Sequence, residues 1–283
     1  MHQQSNRPQP NHFRALPPAQ YSFLAVLIGL LALVANQIDA QNISVYDNSA
    51  TYRMSFSNGG AADNNAGPGV AITQLVADDI TFSSSAVGQS ISDFGVSIAN
   101  TDPTASFSAR IRVRFWVNDG PNGGPGTFIA GLTFDPITFT PGSHDFVFGT
   151  IAPGVFVLPA SGTFWAGVTF DNGTQNIAST ATTAQLNELG EGIYDPPTIG
   201  SSADKAFKST SPGSFFGVNN PPGTIFQSPF GGNPPANIGW QFKVYPVPEP
   251  SIWTIFVVGA VLLTVGKCWQ RCNAVAFSDS ERK

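Results

Sequence analysis

The octapeptide Arg110-Ile111-Arg112-Val113-Arg114-Phe115-Trp116-Val117 limits the fold more than any other stretch of this chain. In an extended backbone successive side chains point to opposite faces, so the arginines share one face while Ile111, Val113, Phe115 and Val117 share the other. A helix would scatter both sets around its axis, so the pattern predicts a strand with one apolar face. The same period of two recurs at Phe94, Val96 and Ile98, at Phe128, Ala130, Leu132 and Phe134, at Phe164, Ala166, Val168 and Phe170, and at Ile238, Trp240, Phe242 and Val244. Further strands are expected near 72–82, 137–139, 145–151 and 155–158, with one short helix around Thr183 to Leu189 ended by Gly190. Turn signals rich in Gly, Pro, Asn and Asp separate them, as in Asn118-Asp119-Gly120-Pro121-Asn122-Gly123-Gly124-Pro125-Gly126. The expected fold class is therefore all-β, an antiparallel β-sandwich of jelly-roll type spanning residues 41–246, with a barrel as the alternative closure. With 29 Gly, 23 Pro and only 11% charged residues, the composition disfavours a helix-rich cytosolic enzyme. From 196 to 236 the chain turns rich in Pro, Gly, Ser and Asn yet keeps Phe207, Phe215, Phe216, Phe226 and Phe230, which predicts a long excursion pinned by aromatics or a face that contacts a ligand.

Two uncharged apolar segments flank this domain. Residues 1–40 carry Arg7 and Arg14 ahead of an apolar run from Phe23 to Ala35, the pattern of a signal peptide, with Ala35 or Ala40 preceding the cleaved bond. A second run begins at Ile252 and reaches about Trp269, long enough to span a membrane as a helix if Lys267 extends its amine to the interface. Lys267 and Arg271 then flank it on the side the positive-inside bias assigns to the cytosol. Both cysteines, Cys268 and Cys272, lie beyond this run, so the domain at 41–246 holds no disulfide.

Immediately before the second run stands Val247-Pro248-Glu249-Pro250-Ser251. Two prolines keep this stretch extended, as a processing enzyme requires of its substrate. The order of Pro-Glu-Pro, an apolar helix and terminal basic residues over 247–283 resembles the PEP-CTERM sorting signal of exported bacterial proteins. The resemblance implies an exosortase as partner, recognition through Pro248, Glu249 and Pro250, and delivery to the cell surface or extracellular matrix. It departs from the family in its tail, where Lys267 and Arg271 are scattered and a polar extension runs to Lys283.

Within the domain, chemistry is sparse. His144 is the only histidine after residue 41, so a Ser-His-Asp triad has one candidate base and a His-based zinc site too few ligands. Asp78 and Asp79 are adjacent on an expected strand and point apart, while Glu188 and Glu191 could share a helical face. Loop oxygens make calcium the better-supported ion, with Asn118, Asp119 and Asn122 as the candidate ligands against the reading of a plain tight turn. No phosphate-binding loop is present, and seven Lys and Arg against fifteen Asp and Glu between 41 and 250 argue against nucleic acid as a partner. Trp116 and Trp165 alternate out of phase with the core positions, which marks them as candidate sugar-stacking residues or as rings packed under a loop. The expectation is a non-enzymatic, cofactor-free surface protein that contacts exopolysaccharide. The alternatives are an extracellular carbohydrate-active hydrolase and an uncleaved membrane-anchored surface protein.

Overall fold

The computed structural model describes residues 41–246 apart from 64, 65, 175, 211–216, 233 and 234. The signal segment 1–40 and the sorting segment, with Pro248, Glu249, Pro250, the helix at about 252–269, Lys267 and Arg271, lie outside the described residues. Residues 41–246 form one compact unit of two antiparallel sheets. Among the described residues no helix is long and apolar enough to cross a membrane.

The first sheet has seven strands: β1 (Ile43–Asp47), β2 (Tyr52–Ser57), β4 (Ile91–Asn100), β7 (His144–Thr150), β9 (Leu189–Tyr194), β12 (Asn237–Ile238) and β13 (Trp240–Val244). Here β4 pairs β7, β13 and β9; β13 pairs β1, and β9 pairs β2 and β12. The second sheet runs in the order β11 (Thr224–Gln227), β10 (Lys205–Ser209), β3 (Leu75–Thr81), β8 (Thr163–Asp171), β5 (Phe107–Val117) and β6 (Phe128–Phe139). The predicted alternation sets the inner faces: Phe94, Val96 and Ile98 of one sheet and Ile111, Val113, Phe115, Phe164, Ala166, Val168 and Phe170 of the other join a single core. Rings dominate that core, and aromatic pairs add roughly 0.5–1.5 kcal/mol each beyond the area they bury.

The arginine face of β5 is covered rather than half-exposed as its alternation suggested. Asp171, fully buried, accepts from Arg110 Nε at 2.7 Å and from Arg112 Nε at 2.6 Å. Arg114 donates to the carbonyls of Val113 and Leu132, and burial draws its guanidinium down to about 10, with Arg112 adding to the effect. Further along the same face Trp116 and Trp165 join Ile72, Leu75, Ala77 and Phe207 in a second apolar cluster. A register shift between Phe115 and Trp116 opposite β6 turns Phe128 outward to meet this cluster.

Several expected elements are revised. The segment 155–158 makes only an isolated bridge through Val157, while Phe156 and Leu158 are buried. The helix is one turn, α1 (Thr183–Leu186), opened by a Thr182–Gln185 capping box. Leu189 already belongs to β9, because β2 approaches so closely that a Cβ on Gly190 would sit 1.8 Å from the Phe56 carbonyl oxygen. The excursion at 196–236 contains β10 and β11, which extend the second sheet. Because the buried Asp171 is ion-paired to both Arg110 and Arg112, Asp171→Asn is expected to lower stability by about 3–5 kcal/mol, measured by urea unfolding.

Candidate functional site

The two tryptophans singled out by sequence are not available to a ligand. Trp116 and Trp165 are both 0% exposed. The Trp116 indole N–H donates to the Val218 carbonyl at 2.9 Å, and that of Trp165 donates to Asn118 Oδ1 at 3.1 Å and the Gly123 carbonyl at 3.0 Å. Their phase was read correctly, but loops from 118–126 and 217–225 lie over them. The sugar-stacking expectation for these two residues is therefore corrected: they anchor loops.

The candidate calcium loop is occupied with its own hydrogen bonds. Asp119 accepts from the Thr127 backbone N–H at 2.6 Å and from its hydroxyl at 2.7 Å, contacts that hold the carboxyl below its ordinary range. Asn118 serves Trp165, and Asn122 takes the left-handed conformation at φ 55° within a 3-10 turn at Pro121–Gly123. Among the described residues no three His, Cys, Asp or Glu side chains gather as a metal group.

The acidic residues are likewise committed to structure. Asp78 and Asp79 leave β3 toward opposite faces, yet Ser202 at the sheet edge reaches both, at 3.3 and 3.1 Å. Asp78 also accepts from the Ile238 N–H at 2.9 Å, which ties β3 to the opposite sheet. Burial, then the Asp79 charge, pushes the Asp78 carboxyl well above the carboxylate range. Glu191 lies on β9 rather than on a helix with Glu188, is 0% exposed, and neither of its oxygens has a hydrogen-bond partner. Burial pushes it up as well, against the opposing influence of Asn58 and Lys208. Glu188 accepts from Thr101, and His144 opens β7 with its ring stacked at 3.8 Å on Tyr52. No arrangement of acid, base and nucleophile comes together among these residues.

Exposed aromatic surface appears instead on the outer face of the seven-stranded sheet. On β7, Val147 turns to the core while Phe146 and Phe148 turn outward, and Phe148 is 64% exposed. Their rings stack at 6.1 Å, Phe146 meets Tyr194 at 5.6 Å, and Tyr194 meets Tyr52 at 5.6 Å. Small residues form the floor. A Cβ on Gly95 would lie 2.7 Å from the Phe148 ring, and one on Gly239 would lie 2.6 Å from that of Tyr194. Phe148 and Tyr194 can approach the sheet this closely because those positions have no side chain, and Tyr194 is thereby left only 5% exposed. Polar groups edge the row: the Ser97 hydroxyl is 3.2 Å from the Tyr194 phenol, and Gln241, opposite Gly95 on β13, donates to Ser49 at 2.8 Å. Burial pushes the Tyr194 phenol up, so it keeps its proton for hydrogen bonding. Sequence reading placed a strand here but assigned no role to Phe146, Phe148, Tyr52 or Tyr194. The usable signal was Phe146-Val147-Phe148, apolar on both faces, opposite a glycine in a strand of large residues.

Comparison with family models, with curated proteins and with solved structures finds no match to this chain.

The buried acids predict a pH response. A carboxyl raised in the folded state favours the protonated fold, so its contribution is complete below the unfolded value of about 4.3 and is lost as pH rises toward the folded one. Glu191→Gln removes that loss, so denaturation midpoints compared between about pH 5 and about pH 9 should move in favour of the variant as pH increases.

Proposed function

We propose that this chain is an exported, non-catalytic surface protein whose jelly-roll-like sandwich binds exopolysaccharide through the outer face of the seven-stranded sheet. The exposed Phe148 ring carries the reading: packed over Gly95, stacked on Phe146 and with the Gln241 amide beside it, it suits the apolar face and hydroxyl rim of a sugar. The inaccessibility of Asp78, Asp79 and Glu191 supports binding over hydrolysis, since a glycosidase needs two carboxyl groups facing one substrate.

In the same proposal, residues 1–40 direct export through the secretory machinery. The segment at about 252–269 tethers the precursor to the membrane, with Lys267 and Arg271 on the cytosolic side. An exosortase recognises Pro248, Glu249 and Pro250 and frees the domain to the cell surface or matrix. The support is the order of these sequence signals together with a cysteine-free domain between them.

Phe148 is mostly exposed, so Phe148→Ala should change the unfolding free energy by no more than about 0.5 kcal/mol while weakening binding to the native exopolysaccharide roughly tenfold or more in a titration. Unchanged binding would remove the platform reading. The sorting half is tested by intact mass on protein from matrix and membrane fractions of the native culture. Matrix protein lacking residues 1–40 and everything beyond the Pro-Glu-Pro region is expected, and membrane protein keeping the tail would instead make it an anchored surface protein.

A further inference from the structure

A second surface, on the side of the sandwich, has the opposite character to the neutral aromatic row. Edge strand β11 and its neighbour β10 face β2 of the other sheet, leaving a cavity of about 290 Å³ lined by Phe56, Val76, Ala206, Lys208, Phe226 and Gln227, with Pro229 at its margin. A neighbouring cavity of about 460 Å³ shares Lys208 and Phe226 and adds Gln74, Thr210 and Thr224. Each approaches or falls within the roughly 300–1,000 Å³ usual for small-ligand sites. Phe226 is 45% exposed and stands opposite Ala206 on the inward side of the β10–β11 pair, so its ring forms one wall of the cleft. Phe56 forms the other wall and is fixed edge-on by Phe230 at 5.1 Å.

Lys208 is the only charged residue lining either cavity. Its amine lies 5.8 Å from the Phe56 ring centroid, and among the described residues no carboxylate pairs with it within 4.0 Å. The buried Glu191 is the cross-strand partner of Phe56 on β9 and shares its face; burial favours its uncharged form, and the Lys208 charge acts in the opposite direction. The cleft therefore presents a positive charge between two aromatic walls, on a domain that is acidic elsewhere. Screening confines charge effects to about 8 Å at physiological ionic strength, so the local lysine, not the net charge, governs what enters.

We propose that this cleft is an acidic-sugar subsite: it seats a uronate residue with its carboxylate on the Lys208 amine and the apolar face of its ring against Phe226. Gln74, Thr210 and Gln227 stand at the rim as partners for the ring hydroxyls. A charge-assisted contact on an aromatic wall selects uronates over neutral hexoses of the same size. The proposal rests on the polysaccharide-binding reading, but it uses a different surface from the Phe148 row.

The test is titration calorimetry on the full-length protein with trigalacturonate and with a neutral glucose trimer, both too short to demand the aromatic row. Trigalacturonate is expected to bind, to weaken about tenfold or more in Lys208→Met, to be retained in Lys208→Arg, and to be unaffected by Phe148→Ala. Methionine keeps an unbranched apolar chain over Phe56, and an unchanged thermal midpoint separates loss of charge from loss of fold. Equal binding of the two trimers, or full affinity in Lys208→Met, overturns the acidic subsite. If neither trimer binds while long native polysaccharide still binds through Phe148, the subsite falls alone; if the native polymer fails too, both readings fall.

Discussion

The structure depends on the packing of Phe115 between the two sheets. Its ring lies 4.8 Å from Phe156, 5.4 Å from Phe94, 5.8 Å from Phe242 and 6.2 Å from Phe164. Phe94 and Phe242 belong to the seven-stranded sheet, Phe115 and Phe164 to the six-stranded one, and Phe156 to the segment that closes the gap beside them. A domain without cysteine has no covalent link between its layers, so this interlocked set of rings performs the joining. Most of the contacts are edge-to-face, the arrangement that aligns the positive rim of one ring with the negative face of the next. Asp78 adds one polar tie across the same interior through the Ile238 N–H.

Given that core, the outer faces of the two sheets differ in what covers them. The outer face of the six-stranded sheet is largely covered, by Asp171 between Arg110 and Arg112 and by loops over Trp116 and Trp165. The Arg110 and Arg112 guanidinium groups and both indole N–H groups there have partners inside the protein, and a cavity of about 510 Å³ remains between the 121–125 and 220–227 segments beside Phe207. The seven-stranded sheet keeps Phe148 exposed over Gly95, stacked on Phe146. The recognition proposed above falls on that face, through the exposed Phe148, and on the side cleft, where the half-buried Lys208 places its amine over Phe56.

Much of the fold was legible in the sequence wherever one face of a strand was apolar. The sets beginning at Phe94, Phe164 and Ile238 all entered the core as their period required. Strands were missed where that contrast was weak: Lys205-Ala206-Phe207-Lys208-Ser209 alternates poorly because both its faces are covered, and Leu189 to Tyr194 reads as a helix end because two of its residues are glycines. Site prediction fared less well for a related reason. Alternation correctly placed Trp116 opposite the core, but a position opposite the core is exposed only if nothing is laid over it.

The sequence by itself determined the all-β class, the phase of the principal strands and the absence of any disulfide between 41 and 246, because these follow from side-chain period and residue identity alone. Tertiary structure decided which non-core faces meet solvent. Loops from distant parts of the chain bury Trp116 and leave Phe148 open, and no local pattern records where such loops land. It also decided that Lys208 stands beside Phe56, 152 positions earlier in the chain, since that meeting arises only when the edges of two separate sheets are stacked.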